Sequence, residues 1–364
     1  MCADLRPACL AALLAAQALV LVQAPAAAAA ELPRVRLVAT GGTISNRVGG
    51  RLTAAELGAS IPNLDRYVVA EFEQFANTAS SALTLDQWLA LSRHLNALFQ
   101  KDPGLAGVVV TSGTDTLEEL AYFLDLTVRD ARPVVVVGSM RNPSTVGYEG
   151  AANLLEGFRV AAEPASRGKG TLVVLNDEIN AARDVTKTDA LRLQTFQSRG
   201  VGILGVVDQD RVVYYRDLVK RHGAASEFDV SGVTELPRVD VIMVYQGASG
   251  DLIRSAADAG ARGIVIASAG AGATSGTQDA GIDYAVSKGV VVVTSTRTGS
   301  GRIASRRSSA GAGPPAQATT SGPGSRPMRV AAEDLSPLKA RVLLMLALTK
   351  TKDTAEIQRM FFEY

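Results

Sequence analysis

Two short apolar segments of this chain each run directly into a turn rich in glycine and hydroxyl side chains. Residues 108–110 (VVV) lead into 111–116 (TSGTDT), and residues 35–39 (VRLVA) lead into 40–45 (TGGTIS). This arrangement is typical of buried strands in a parallel α/β sheet, where ligands usually bind at the carboxyl ends of the strands. The pattern therefore predicts polar side chains gathered at one edge of such a sheet.

The second turn is followed by a predicted helix. Thr116 and Glu119 have the spacing of a capping box that would start it. Apolar residues then recur at helical intervals, at Leu117, Leu120, Ala121 and Leu124. A well-capped turn without any function would look similar, because Ser, Thr and Asp are ordinary capping residues. The repetition of the pattern in residues 40–45 favours a functional site.

Strands and helices alternate along most of the chain, which predicts an α/β fold with a mainly parallel sheet. Further apolar strands are expected at residues 68–75, 133–137 and 171–175. Residues 203–215 have the pattern of a β-hairpin, whereas residues 176–188 are expected to form a long polar loop.

A second group of strand–helix units follows near the carboxyl terminus. Its strands are expected at residues 239–245, 263–267 and 290–294. At 364 residues the chain is long for a single core, so two domains are the default expectation. We expect a larger N-terminal α/β domain over 31–236, with the mainly parallel sheet and the hairpin, and a smaller C-terminal α/β domain over 237–364.

Two segments fall outside the alternation. Residues 1–30 have the features of a signal peptide: Arg6, an apolar run over 10–22, and an Ala-rich stretch with several small-residue cleavage sites. Residues 304–327 are rich in Arg, Ser, Ala, Gly and Pro without apolar periodicity, which predicts an irregular low-complexity loop. The leader predicts a protein of the periplasm or a secreted protein.

The composition excludes several kinds of site. Cys2 and Cys9 both lie in the predicted leader, and only His94 and His222 carry an imidazole, so neither a zinc site nor a thiol nucleophile is expected. With a net charge of +1, the chain is not expected to bind nucleic acid. No stretch after the leader has the length and apolarity of a membrane span.

Catalysis without histidine or cysteine remains feasible with a hydroxyl nucleophile. A lysine can accept the proton of a Ser or Thr hydroxyl if its surroundings favour the neutral amine, and a carboxylate can orient that lysine. Thr43, Thr114, Asp115 and Lys187 supply these residue types. Their spacing in the sequence does not by itself bring them together.

Several motifs, taken together and in order, resemble those of the bacterial L-asparaginases, especially the secreted type II enzymes. The resemblance covers residues 35–302 and resumes at 331–364. The matching motifs are TGGTI at 40–44, TDTLEE at 114–119, GSMR at 138–141, LNDE at 175–178, RDVTKT at 183–188 and KARVLL at 339–344.

The resemblance implies an amidohydrolase that converts L-asparagine to L-aspartate and ammonia through a Thr acyl-enzyme. By that resemblance Thr43 is the nucleophile, and Thr114, Asp115 and Lys187 form the supporting triad. Ser80 corresponds to the residue that holds the substrate α-carboxylate, and Asp115 to a ligand of the α-ammonium. The family also implies a homodimer or homotetramer, with no metal and no organic cofactor.

The chain departs from the family pattern at four places. Ser112 stands where His is usual, the loop over 45–52 lacks the usual Tyr, and residues 147–150 read GYEG. Residues 304–327 contain no Asp or Glu, although the family often places there an acidic residue that reaches the neighbouring subunit. The missing Tyr and residues 304–327 keep open a catalytically silent member that binds an amino acid. A mixed glutaminase-asparaginase also stays an alternative, because one extra methylene changes binding in a pocket by only about 1–3 kcal/mol.

Overall fold

Two main β-sheets, each flanked by helices, form the framework of the molecule. The computed structural model describes residues 31–305 and 329–364. The predicted leader and nearly all of the low-complexity segment lie outside the described residues. The architecture is α/β with a larger and a smaller sheet, as the sequence predicts.

The N-terminal half contains twelve strands and four helices within the described residues. The strands are β1 (Arg34–Gly41), β2 (Asn46–Arg47), β3 (Gly50–Arg51), β4 (Val69–Thr78), β5 (Leu105–Thr111), β6 (Val134–Val137), β7 (Thr171–Leu175), β8 (Glu178–Ala181), β9 (Thr186–Lys187), β10 (Phe196–Gln197), β11 (Gly205–Val207) and β12 (Val212–Tyr214). The helices are α1 (Ala54–Ala59), α2 (Leu85–Lys101), α3 (Leu117–Thr127) and α4 (Gly150–Ala162).

The larger sheet has eight strands in the order β12-β11-β8-β7-β6-β5-β1-β4. The pairs from β4 to β7 are parallel, whereas β7–β8, β8–β11 and β11–β12 are antiparallel. The predicted hairpin is β11–β12. Valines of β5 and β6 alternate between two apolar clusters on the two faces of the sheet, which buries both faces.

The C-terminal half contains a smaller sheet with the strand order β13-β14-β15-β16, and all of its strand pairs are parallel. Its strands are β13 (Val239–Met243), β14 (Gly263–Ser268), β15 (Val291–Thr296) and β16 (Val330–Ala331). Its helices are α5 (Asp251–Asp258), α6 (Gln278–Ser287), α7 (Pro337–Lys350) and α8 (Thr354–Glu363). The boundary between residues 236 and 237 stays a prediction.

The capping box predicted at the start of α3 is wrong. The four apolar residues predicted for its buried face are fully buried, but the Thr116 side chain makes no capping hydrogen bond. Thr116 has φ −124° and ψ 17°, which is not the extended conformation of an N-cap. The Glu119 carboxylate instead lies 3.3 Å from Arg341 of α7. A tertiary ion pair therefore takes the place of the predicted local capping hydrogen bonds.

The long polar loop predicted at residues 176–188 is also wrong, because much of it is strand. Asn176 and Asp177 have φ of 56° and 63°, and they form the two-residue turn between β7 and the antiparallel β8. Asn and Asp tolerate this left-handed conformation better than most residues. The segment continues into β9, which pairs with β10.

Candidate active site

Three of the five predicted site residues form one hydrogen-bonded chain. The Lys187 Nζ lies 3.0 Å from the Thr114 Oγ1 and 2.8 Å from the Asp115 Oδ1. Thr114 and Asp115 belong to the turn after β5, whereas Lys187 ends β9. Thr114 is 6% exposed, and the side chains of Lys187 and Asp115 are 15% and 76% exposed. The lysine therefore joins a buried hydroxyl to a carboxylate that is open to solvent.

Helix α7 holds the segment that carries Lys187. The buried Lys339 ammonium donates hydrogen bonds to the carbonyl oxygens of Arg183, at 2.9 Å, and Val185. Burial is the largest cause that lowers the pKa of Lys339, to about 8. Arg183 also pairs with Asp334, with an Arg183 Nη2 to Asp334 Oδ1 distance of 2.7 Å. The position of Lys187 therefore depends on contacts across the two halves of the chain.

The turn after β1 is wedged between the turn after β5 and the end of β4. Gly41 and Gly42 have φ of 106° and 95°, a conformation that glycine adopts without strain. A Cβ on Gly42 would lie 2.5 Å from the Gly113 Cα, and one on Gly41 would lie 2.5 Å from the Thr78 nitrogen. Since no larger residue fits here, the two glycines allow the backbones to touch.

Thr43 follows this contact directly and begins a short 3₁₀ turn over Thr43–Ser45. The Asn46 amide donates to the Thr43 carbonyl, and the Ser45 hydroxyl donates to the Gly42 carbonyl at 3.0 Å. Within the described ranges, no group forms a hydrogen bond with the Thr43 hydroxyl. The structure therefore places Thr43 beside the second turn without bonding it to the Thr114–Lys187–Asp115 chain.

Ser80 approaches the same glycine from a third direction. It begins the 3₁₀ turn over Ser80–Ala82 that follows β4. A Cβ on Gly113 would lie 2.8 Å from the Ser80 Oγ and 3.0 Å from the Ser80 nitrogen. The turns that carry Thr43, Thr114 and Ser80 thus meet at Gly113.

Hydrogen bonds between the strand ends hold together the turns that carry this site. The Thr40 hydroxyl donates to the Thr111 carbonyl at 2.6 Å, and the Thr111 hydroxyl accepts from the Thr40 amide at 3.0 Å. The Ser112 amide donates to the Val137 carbonyl at 2.9 Å. These bonds join the carboxyl ends of β1, β5 and β6, which is the edge where the sequence predicts the polar side chains.

One contribution to the site was not anticipated from the sequence. The Tyr148 hydroxyl donates to the Ile44 carbonyl at 2.9 Å, and the Ser144 hydroxyl accepts from the Val48 amide at 2.9 Å. Both partners belong to the loop before α4, far from residues 43–51 in sequence. Only the departure of residues 147–150 from the family pattern hinted at a changed contact.

The two histidines lie elsewhere. The His94 Nε2 is 2.8 Å from the Glu73 Oε1, and the two ring nitrogens of His222 lie near the carbonyl oxygens of Lys220 and Gly168. The part of the chain that the structure describes contains no group of three or more His, Cys, Asp or Glu residues placed to hold a metal ion. No helix in residues 31–305 or 329–364 is long and apolar enough to cross a membrane.

A cavity of about 250 Å³ lies beside β9 but is a different place from the site above. It is lined by Thr186 and by basic residues such as Arg183 and Lys339, and by none of the five predicted site residues. Thr186 and Lys187 are neighbours in a strand, so their side chains point to opposite faces. The cavity and the hydrogen-bonded chain therefore lie on different sides of this segment.

Comparison with protein families matches both halves of the chain. The family model "Asparaginase, N-terminal" matches residues 34–220, and the model "Glutaminase/Asparaginase C-terminal domain" matches residues 238–361. The chain is 40% identical over 344 residues to the L-asparaginase 2 of Bacillus subtilis, covering 92% of this chain and 87% of that protein.

Two further similarities extend over most of the chain. The glutaminase-asparaginase of Pseudomonas fluorescens is 35% identical over 344 residues, covering 92% of this chain and 91% of that protein. A crystal structure of a probable cytoplasmic L-asparaginase from Campylobacter jejuni matches with a TM-score of 0.83 and 36% identity. That match covers 91% of this chain and 100% of the Campylobacter chain.

Proposed function

The chain belongs to the bacterial asparaginase family, and on that premise we propose that it hydrolyses L-asparagine to L-aspartate and ammonia. The observation that carries the proposal is the hydrogen-bonded chain from Thr114 through Lys187 to Asp115, which stands beside the turn of Thr43. A hydroxyl, a lysine and a carboxylate in this order can move a proton without histidine.

In the proposed reaction the Thr43 hydroxyl attacks the side-chain amide carbon. The carbon–nitrogen bond breaks, the leaving nitrogen takes up the proton that the Thr43 hydroxyl gives up and departs as ammonia, and aspartate stays bound as an ester of Thr43. Water then hydrolyses the ester and releases aspartate. Lys187 draws the proton from Thr114 while Asp115 holds the lysine, and the Thr114 amide stabilises the oxyanion, a contribution of about 3 kcal/mol in comparable sites.

Substrate recognition is proposed for the residues around Gly113. Ser80 would hold the α-carboxylate through its hydroxyl, and Asp115 would bind the α-ammonium. The exposed Asp115 carboxylate suits this task, since it keeps one side free for a second cation while it contacts Lys187. Each role rests on family resemblance and on the proximity of Ser80 and Thr114 to Gly113.

The experiment that tests the proposal is ammonia release from L-asparagine by the purified protein and by Thr43→Ala. We expect Thr43→Ala to lower turnover by about a thousandfold or more, because a nucleophile has been removed. Thr43→Ser is the matched control, since it keeps a hydroxyl and should keep measurable turnover. Wild-type turnover in a folded Thr43→Ala protein would contradict the role of Thr43.

The same assay with L-glutamine ranks the second candidate substrate. One methylene changes discrimination in a pocket by about 10–200-fold, so a mixed specificity needs only small changes in shape. The similarity to a protein named glutaminase-asparaginase motivates the comparison. A folded protein that binds asparagine but releases no ammonia would support the silent alternative.

Assembly and location are part of the proposal. We expect a homodimer or homotetramer, and the exposed side chains of Met243, Tyr245 and Leu252 around β13 and α5 are consistent with a covered surface. Light scattering of the purified protein measures the oligomeric state directly.

Export to the periplasm or the medium is supported by the predicted leader over 1–30, whereas the Campylobacter match is named cytoplasmic. Cell fractionation with N-terminal sequencing of the mature protein tests it.

A further inference from the structure

We propose that Tyr148 is a positioning residue that holds the turn of Thr43 in place for attack. The inference rests on the proposed function, because it takes Thr43 as the nucleophile. Its basis is the hydrogen bond from the Tyr148 hydroxyl to the Ile44 carbonyl, at 2.9 Å. Ile44 is fully buried and follows Thr43 directly, so this bond fixes the Ile44–Ser45 peptide unit, one residue beyond the reacting side chain.

The Tyr148 hydroxyl supplies the hydrogen bond that the carbonyl of the buried Ile44 requires. A buried carbonyl that loses its partner carries a desolvation cost, so the turn would shift to find another one. Burial also raises the pKa of Tyr148 well above its usual value, which keeps the phenol protonated and able to donate.

Tyr148 is itself held by its own loop. Its amide donates to the Thr145 carbonyl at 3.1 Å, and its ring lies so close to Gly150 that a Cβ there would overlap it. The Glu149 carboxylate accepts from the amides of Met140 and Arg141, which ties the loop to the end of β6. The tyrosine can therefore act as a fixed point for the turn of Thr43.

A second bond from the same loop holds the hairpin formed by β2 and β3. The Ser144 hydroxyl accepts from the Val48 amide at 2.9 Å. The hairpin tip has few other supports: Val48 is 87% exposed, and a Cβ on Gly49 or Gly50 would have no neighbour within 4 Å. Ser144 and Tyr148 together connect the loop before α4 to both ends of the segment over 44–48.

The consequence should appear in the chemical step more than in substrate binding. Thr43 must be aligned with the amide carbon, and small errors of alignment lower the rate strongly. Ser80 and Asp115, which are proposed to bind the substrate, belong to other turns, and the hydrogen bonds of Tyr148 in the described residues go to Ile44 and Thr145 instead. Loss of the Tyr148 hydroxyl should therefore lower kcat and leave KM nearly unchanged.

Tyr148→Phe tests the inference, because it removes the hydroxyl and keeps the ring. We expect kcat for asparagine to fall about fivefold to tenfold, as the loss of one hydrogen bond predicts. Amide hydrogen exchange over residues 44–48 should accelerate about as much. Ser144→Ala should accelerate exchange at Val48 with a smaller effect on kcat.

The matched control is Tyr284→Phe. The Tyr284 hydroxyl donates to Asp258 at 2.6 Å on the surface of the smaller domain, so this variant also loses one phenol hydrogen bond. It should leave both kcat and exchange over residues 44–48 at wild-type values. Equal effects of Tyr148→Phe and Tyr284→Phe would overturn the inference, as would wild-type exchange in Tyr148→Phe.

The two readouts separate this inference from the proposed function. If the wild-type protein releases no ammonia, the proposed function fails, and the inference about catalysis fails with it. Exchange over residues 44–48 in Tyr148→Phe would still report whether the tyrosine holds the turn. If the wild type is active and Tyr148→Phe keeps full kcat, only the inference fails.

Discussion

A Cβ atom on Gly42 would lie 2.5 Å from the Cα of Gly113, so the turns after β1 and β5 touch through their backbones. Gly42→Ala should disrupt the site, because Gly42 has φ 95° and ψ −176°, which is open essentially to glycine alone. We expect a loss of about 3 kcal/mol in unfolding free energy and of most turnover. Urea denaturation and ammonia release measure both.

Gly49→Ala is the control for this variant. Gly49 also has positive φ, 85°, but nothing lies within 4 Å of its would-be Cβ. This variant carries the backbone strain without the collision, so it should retain much of the activity. Similar losses of turnover and of unfolding free energy in both variants would show that backbone strain causes the loss, and not the collision with Gly113.

The Asp115–Lys187 pair provides a second prediction. Asp115→Asn should lower kcat/KM by about a hundredfold, because Lys187 loses the carboxylate that orients it and the substrate ammonium loses a ligand. The melting temperature should hardly change, since the Asp115 side chain is 76% exposed. Steady-state kinetics and calorimetry check the two parts. Asp208→Asn, in the exposed turn between β11 and β12, should match the wild type in both measurements.

Lys339 provides a prediction about pH. Its folded-state pKa, about 8, lies below the ordinary value of 10.5, so the folded protein disfavours the charged amine. The resulting loss of unfolding free energy is complete below about pH 8 and disappears as pH rises to 10.5. The unfolding free energy of the wild type should therefore rise relative to Lys339→Met over this interval. Urea denaturation of both proteins at several pH values measures the difference.

Lys339→Met should also lower turnover, because the carbonyls of Arg183 and Val185 lose the donor that fixes the segment before Lys187. Lys352→Met, at an exposed lysine, is the matched control for both measurements. A constant stability difference between Lys339→Met and the wild type across the pH interval would contradict the lowered pKa.

Glu156 should have the opposite dependence on pH. Burial, followed by its contact with Asp177, raises its pKa to about 8 from 4.5. The folded state favours the protonated acid, so stability from this group is complete below about pH 4.5 and is lost as pH rises through 8. Glu156→Gln should gain stability relative to the wild type over that range, as thermal melts would show. Glu235→Gln, at an exposed site, should show no such trend.

The meeting of the first two turns could be predicted from the sequence because parallel strands end at the same edge of a sheet. β1 and β5 are indeed adjacent, with Ala39 opposite Thr111. Lys187 could not be placed in this way. Its position depends on the short β9–β10 pair and on Lys339, whose bond to Val185 spans 154 residues, and a contact at that distance in sequence leaves no local pattern.

Local rules also failed where tertiary contacts competed with them. Glu119 had the right spacing for a capping box, but Arg341 is a stronger partner in a half-buried setting. The turn of Asn176 and Asp177 had a local signal, since both residues tolerate positive φ, and the polarity of the surrounding residues obscured it. Tyr148 has no signal of its own, because a hydrogen bond to a distant carbonyl does not depend on any spacing.

The hydrogen bond between Lys339 and Val185 spans 154 residues, and it has a consequence for the synthesis of the enzyme. A ribosome will have completed the larger sheet and both glycine turns long before it reaches α7. Until that helix docks, Lys339 cannot form its hydrogen bonds with the segment before Lys187. The nascent protein should therefore have its hydroxyl groups in place early but its proton acceptor, Lys187, positioned late, so that hydrolysis begins only after synthesis is almost finished.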